Sequence, residues 1–160
     1  MNNPAKILIV DDEEVVRLSY MRILASSHCQ VKQAWTWAQV AQAMQAEDFD
    51  VVLLDLRMPD MDGMQVLKLL KTRWPESEVI IITGYPTLET AKAAVTLGAY
   101  DYLTKPVGPE QVIDAANAAM LHKRWALHND ADLQSAAPET SSPAVTGRAS
   151  DKPDIQRKLP

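Results

Sequence analysis

An α/β fold, with a mostly parallel sheet covered by helices on both faces, is predicted by three features of the chain. Short apolar runs alternate five times with stretches of helical periodicity, and strict alternation implies parallel strands joined by helical crossovers. The strongest run, Val51–Val52–Leu53–Leu54, passes directly into Asp55; four successive apolar residues ended by turn residues mark a strand buried on both faces. Four of the strand-like runs end in polar residues, at the sheet edge where open α/β folds gather ligands and chemistry.

The first run, Lys6 to Val10, ends in the acidic cluster Asp11–Asp12–Glu13–Glu14. Acidic side chains also suit the start of a helix, where the dipole favours negative charge. That helix is expected to reach about Ser26, with Val16, Tyr20, Ile23 and Leu24 on its core face and Arg17 and Arg22 off it. Gln30 to Ala34 reads as a weak edge strand. Trp37 to Gln45 reads as a helix with Ala38, Ala41 and Met44 inward. Asp50 to Asp55 is the central strand, and Pro59 and Gly63 set a loop after it. Val66, Leu69 and Leu70 mark the core face of a helix from Met64 that stops near Trp74–Pro75. Glu78 to Ile82 is an apolar strand ending at Thr83–Gly84. Thr87 to Leu97 is a helix with Ala91, Ala94 and Val95 inward, closed by Gly98. Tyr100 to Thr104 is the last strand, ending at Lys105–Pro106. Pro109 opens the last helix, with Val112, Ile113, Ala116 and Met120 inward, reaching about Trp125.

From His128 onward Ala, Ser, Thr and Pro dominate. The folded domain is set at residues 4–125, and residues 126–160 are expected to be a disordered tail or linker. The 160 residues are 47% hydrophobic, enough for one domain with a core. A net charge of −5 argues against a large nucleic-acid-binding surface. One cysteine, Cys29, excludes an intramolecular disulfide and fits a reducing compartment. No apolar run approaches the ~20 residues of a membrane helix, and the N-terminus enters a strand without a signal-peptide pattern. A cytoplasmic location with no membrane contact is therefore expected.

The polar strand ends are Asp11 and Asp12, Asp55, Thr83 and Lys105. Taken singly, each has a plain structural explanation: an acidic pair caps a helix, an aspartate caps a turn, a threonine ends a strand, a lysine is solvated. Converging on one edge, three carboxylates, a hydroxyl and an ammonium form a site for a cation and a phosphate. Carboxylates without His or Cys select a hard cation, and Mg²⁺ is the ready choice. A carboxylate can attack phosphorus to give an acyl phosphate. Lysine can hold a phosphoryl oxygen as a point charge.

The chain resembles the response-regulator receiver domain of bacterial two-component signalling. The matching segments are Ile7–Leu8–Ile9–Val10–Asp11–Asp12–Glu13, Leu53–Leu54–Asp55–Leu56–Arg57–Met58–Pro59 with Asp62–Gly63, Ile82–Thr83–Gly84, and Gly98–Ala99–Tyr100–Asp101–Tyr102–Leu103–Thr104–Lys105–Pro106. The resemblance covers about residues 4–125. It implies a doubly wound, flavodoxin-like (βα)5 fold with five parallel strands in the order 2-1-3-4-5. It implies that Asp55 is the phosphoacceptor, served by a histidine kinase or phosphotransfer protein. Asp12, Asp55 and the backbone carbonyl of Arg57 would ligate Mg²⁺, with Asp11 acting partly through water. Lys105 would pair with the phosphoryl group. Thr83 would turn toward the phosphate, and Tyr102 would pack inward as the second half of the switch. Lys105–Pro106 is expected to be cis.

Phosphorylation adds about −2 charge at the strand ends. The responding surface is expected on the helix from Thr87, the strand from Tyr100 and the helix from Pro109, where a downstream protein or a second copy would bind. Such a protein is a phosphoacceptor rather than an enzyme in the usual sense. No effector motif follows Trp125, so the chain is read as a stand-alone receiver. The alternative is the N-terminal receiver fragment of a larger transcriptional regulator. Two other classes share the topology. An aspartyl-nucleophile phosphatase needs a second acid two positions beyond the nucleophile, where Arg57 stands. A flavin-binding domain needs a phosphate-cradling loop where Asp11 to Glu14 would repel phosphate.

Overall fold

The computed structural model describes residues 3–25 and 28–136. Five strands build one sheet: β1 (Ala5–Val10), β2 (Cys29–Ala34), β3 (Val51–Leu54), β4 (Glu78–Thr83) and β5 (Asp101–Thr104). All neighbours are parallel and the order is β2-β1-β3-β4-β5. The helices between and after them are α1 (Glu14–Ala25), α2 (Trp37–Ala46), α3 (Gly63–Arg73), α4 (Leu88–Thr96) and α5 (Pro109–Ser135). The doubly wound order expected from the family resemblance is the order found.

Successive side chains on a strand point to opposite faces, and the central strands use both. Leu8, Val10, Val52, Leu54, Val79 and Ile81 pack on α2, α3 and α4 through Val40, Met44, Val66, Leu67, Leu70 and Ala94. Ile7, Ile9, Val51, Leu53, Ile80 and Ile82 pack on α1 and α5 through Tyr20, Leu24, Val112, Ala115, Ala116 and Ala119. Burying one such aliphatic side chain is worth about 1.5–3 kcal/mol, so a continuous apolar run, rather than an alternating one, is what a doubly covered strand requires. The strand expected at the edge, β2, does lie there and its burial alternates instead.

Helix starts follow local chemistry. The Thr36 hydroxyl accepts the Gln39 amide at α2, Asp62 accepts the Met64 amide at α3, and Thr87 and Thr90 form a reciprocal cap at α4. Gly98, with φ of +93°, follows α4 in the left-handed region where glycine is unstrained. Between β3 and α3 the loop is a miniature hairpin, Arg57–Met58 against Met61–Asp62.

Several expectations about facing need correction. Arg17, expected off the core face, is only 6% exposed; it lies on the same stripe as Tyr20 and Leu24. In α2 the buried residues are Val40 and Met44, while Ala38 is exposed, and in α3 Leu67 is more deeply buried than Leu69. Val95, expected inward, is 71% exposed, because α4 is nine residues long and only Ala94 of it is fully covered. Small helices on a sheet edge bury a narrower stripe than periodicity suggests.

The largest difference is at α5. The expected end near Trp125 is passed by ten residues, so 126–135 are helical and not a disordered tail. Apolar periodicity stops where the helix leaves the sheet, but no Gly or Pro interrupts the chain between Pro109 and Pro138, and ordinary helix formers suffice to continue it. Around the point of departure, His122 meets Glu78 at 3.0 Å and Lys123 meets Asp50 at 2.9 Å. The rest of the expected tail, 137–160, lies outside the described residues. Among the described residues no helix is long and apolar enough to cross a membrane.

Gly63, the first residue of α3, is packed against the chain just after Asp55. A Cβ there would lie 2.4 Å from the Leu56 Cα and 2.8 Å from the Asp55 carbonyl oxygen. Backbone cannot rotate aside, so Gly63→Ala should lower the unfolding free energy by about 2–3 kcal/mol, read by urea denaturation. A variant as stable as the parent would show that the helix start is not tight.

Candidate functional site

Three carboxylates and one ammonium meet where the strands end. Asp11 follows β1 and Asp55 follows β3; the two strands are hydrogen-bonded neighbours, so their ends are adjacent by construction. Asp55 continues the ladder by donating its amide to the Val10 carbonyl. Asp11, Asp12 and Asp55 each offer a carboxylate oxygen within 4.8 Å of the others. Asp11 is 1% exposed and Asp55 5% exposed, whereas Asp12 is open to solvent. Lys105, following β5, reaches across: its Nζ donates to Asp11 Oδ2 at 2.8 Å and to Asp55 Oδ2 at 3.3 Å. The Lys105–Pro106 bond is cis.

The remaining carboxylate oxygens are held from the backbone. Asp11 Oδ1 accepts the Glu13 amide at 2.9 Å, and Asp55 Oδ1 accepts the Arg57 amide at 3.2 Å. Both carboxylates are therefore oriented on one oxygen and leave the other facing the lysine. Thr83, at the end of β4, is buried, and its hydroxyl oxygen accepts the Tyr85 amide at 3.2 Å. Tyr102 on β5 is half-buried against the cluster under α2, α3 and α4, and its hydroxyl lies 2.8 Å from Thr90 Oγ1 at the start of α4. The fold thus gathers Asp11, Asp12, Asp55 and Lys105 into one cluster. Thr83 stands at a neighbouring strand end, and Tyr102 lies farther along β5 with its hydroxyl on α4.

Two contacts escaped sequence reasoning. Arg17 donates through Nη1 to the Asp11 carbonyl at 2.8 Å. Its spacing to Tyr20 and Leu24 was the available signal. The Arg57 guanidinium lies 3.9 Å over the Tyr85 ring, which ties the loop after β3 to the loop after β4. No local pattern connects those two residues.

A family model for the response regulator receiver domain matches residues 7–117. Among curated proteins, the chain is 35% identical over 116 residues to the DNA-binding transcriptional regulator NtrC of Escherichia coli (strain K12), an overlap of 72% of this chain and 25% of that protein. It is 32% identical over 166 residues to the transcriptional regulatory protein ZraR of Klebsiella oxytoca, covering 96% of this chain and 33% of that one. The chain thus spans about a quarter to a third of the length of these relatives. Among solved structures it is similar to a receiver domain protein (CheY-like) from Methanospirillum hungatei JF-1, with a TM-score of 0.73, 29% identity and coverage of 76% of this chain and 98% of that one. The beryllofluoride-activated NtrC4 receiver domain dimer is similar too, with a TM-score of 0.71 and 33% identity, covering 74% and 98%.

Burial and neighbouring charge shape the ionisation of the site. Burial pushes the Asp55 pKa above its usual 3.8; the Arg57 amide and Lys105 oppose this, and the Asp11 charge adds to it. Burial alone would lower the Lys105 pKa, but its hydrogen bond to Asp11 and the charges of Asp11 and Asp55 outweigh that and raise it. Tyr20, against the same cluster, is pushed up to about 12, first by burial and then by the surrounding carboxylates. An oxygen-only donor set of this kind fits a hard divalent cation.

Because the folded pKa of Asp55 is raised, the folded state holds that proton more tightly than the unfolded state. The associated stability is present at low pH and is lost as pH rises through the folded pKa. At pH 7 without divalent cation, ionised Asp55 therefore weighs against folding. Asp55→Asn should then be more stable than the parent to urea at neutral pH, with the difference narrowing once pH falls below the usual carboxylate range. A less stable Asn variant at pH 7 would contradict the sign.

Proposed function

The chain belongs to the response regulator receiver domain family, and from that premise we propose that it is a phosphorylation-dependent switch whose phosphoacceptor is Asp55. The observation that carries this reading is the Lys105 ammonium lying on both Asp11 and Asp55. Those residues are 94 and 50 positions from it in sequence. Such a junction accepts a further dianion only if more positive charge is supplied.

In the proposed transfer, an ionised Asp55 oxygen attacks the phosphorus of a phosphohistidine on a kinase or phosphotransfer protein. The oxygen–phosphorus bond forms as the phosphorus–nitrogen bond breaks, and the released imidazole takes a proton from solvent. Attack by an ionised carboxylate requires no general base. Bound Mg²⁺ would neutralise the repulsion between carboxylate and phosphoryl oxygens; Asp12, Asp55 and the Arg57 carbonyl would hold it, with Asp11 partly through water. Lys105 would exchange its Asp55 contact for a phosphoryl oxygen, gaining a charge-assisted hydrogen bond. The Thr83 hydroxyl, already accepting from Tyr85, keeps its own hydrogen to donate.

These bonds exist only in the phosphorylated form, which is the differential interaction a population shift needs. The Thr90–Tyr102 hydroxyl contact joins α4 to β5, so a change at Thr83 is expected to be read on the α4-β5-α5 face by a downstream protein or a second copy. Leu88 and Val95 of α4 are exposed there. The protein acts as a phosphoacceptor in a cytoplasmic two-component pathway, with no nucleic-acid contact of its own residues. The stand-alone reading has a competitor: the curated relatives are transcriptional regulators of which the chain matches a quarter to a third. That likeness supports a receiver part of a larger transcriptional regulator.

Incubation with acetyl phosphate should add one phosphoryl group, detected by mass, only when Mg²⁺ is present. Asp55→Ala should abolish the uptake while keeping the fold. Beryllofluoride should move amide resonances across residues 83–106. Steady turnover of a generic phosphate ester, or uptake independent of Asp55, would replace the switch with an aspartyl phosphatase or another acceptor. The Arg57–Tyr85 stack, as an exposed cation–π contact, is worth about 0.5–1 kcal/mol. If it screens the acyl phosphate from water, Arg57→Ala should shorten the half-life of phosphorylated protein by about two- to five-fold; an unchanged half-life removes that role.

A further inference from the structure

Arg17 stands six residues after Asp11, on the side of α1 that faces the sheet, and it is buried. Its guanidinium is held from three sides. Nη1 donates to the Asp11 carbonyl at 2.8 Å, Nε donates to the Gln33 side-chain oxygen at 3.0 Å, and the guanidinium lies 4.5 Å over the Trp35 ring. The groups it grips are a carbonyl, an amide oxygen and an indole face, none of them ionised. Burying a guanidinium costs solvation, and a rigid, directional fork suits fixing a backbone group rather than merely balancing charge.

The carbonyl it holds belongs to the peptide between Asp11 and Asp12. That unit is planar, with its N–H opposite its C=O, so pinning the Asp11 oxygen also sets the direction of the Asp12 amide. The Asp11 amide is held from the other side by the Ala34 carbonyl at 3.3 Å. Asp12 is exposed, and no packing of its own supplies an equivalent constraint. We propose that Arg17 is a positioning residue for the acidic site: working through the Asp11–Asp12 backbone, it sets the carboxylate geometry on which divalent-cation affinity depends. This rests on the reading of the site as a cation-dependent phosphoacceptor.

The test is an Mg²⁺ titration of the full chain, followed by the amide resonances of Asp11 to Glu13, in the parent, Arg17→Lys and Arg17→Gln. Residues that orient metal ligands from behind typically change affinity by about 10–100-fold. We expect the half-saturation concentration to rise about tenfold in Arg17→Gln and by a smaller factor in Arg17→Lys, which keeps a donor for the Asp11 carbonyl but not the fork. Saturating Mg²⁺ should restore the acetyl phosphate labelling of Asp55 toward the parent rate. A residue with only a structural role would lower the melting temperature and leave the half-saturation, measured well below it, unchanged; that result in Arg17→Gln overturns the proposal. If Arg17→Gln does not fold, the double variant Gln33→Leu with Trp35→Leu releases the fork while keeping its charge. It should weaken Mg²⁺ about threefold or more, on the scale of such supporting contacts, and unaltered binding overturns the proposal equally. A parent protein that shows no Mg²⁺ response at these amides sinks the functional reading itself; a responding parent whose variants keep its half-saturation sinks only the role of Arg17.

Discussion

Two buried carboxylates a few ångströms apart repel, and in a low-dielectric pocket that repulsion is poorly screened. Lys105 is the counterweight: one ammonium serves Asp11 and Asp55 together, and its charge is strengthened by the pair it neutralises. Asp55 still ionises with more difficulty than a free aspartate, first because it is buried and then because Asp11 is charged, and Asp12 adds a third carboxylate nearby. A pocket in that condition has room, electrostatically, for further positive charge. The rest of the molecule can be understood as holding the three strand ends close enough for this imbalance to persist.

Rigidity comes from the sheet. β1 and β3 are flanked by parallel neighbours on both sides and covered by helices on both faces, so Asp11 and Asp55 emerge from the least deformable part of the fold. Their free oxygens are then aimed by backbone amides from Glu13 and Arg57, and the turn after Asp55 is braced by the close approach of Gly63. Less deeply buried parts surround this centre. β5 is an edge strand of partly buried residues, and α4 buries only Ala94 completely. Elements with few buried contacts are those that open or shift most easily, which places the adjustable surface beside the rigid site rather than within it.

α5 follows a different logic. Its first half is core, with Val112, Ala115, Ala116 and Ala119 packed on the sheet. His122 and Lys123 then bind Glu78 and Asp50 at the starts of β4 and β3, the end of the sheet opposite the acidic cluster. Beyond them the helix continues with Trp125 and Leu133 exposed. One element therefore spans from the packed face to the exterior, with two polar contacts at the point where it leaves.

The linear chain was enough to read the number and alternation of elements, the burial of the central strands on both faces, and the residue types at the strand ends. Those depend on local composition and period, which a linear string records. With the family resemblance it also carried the strand order and the cis Lys105–Pro106 bond. It did not determine that Lys105 would bridge two carboxylates, that Arg17 would turn inward to hold the Asp11 carbonyl, that Val95 would face out, or that α5 would outlast its apolar stripe. Each of these depends on what lies across a gap between segments distant in sequence: a carbonyl under a helix, an edge with no neighbour, a sheet that ends before the helix does. Periodicity reports which side of an element is apolar, and only the packed structure decides what that side meets.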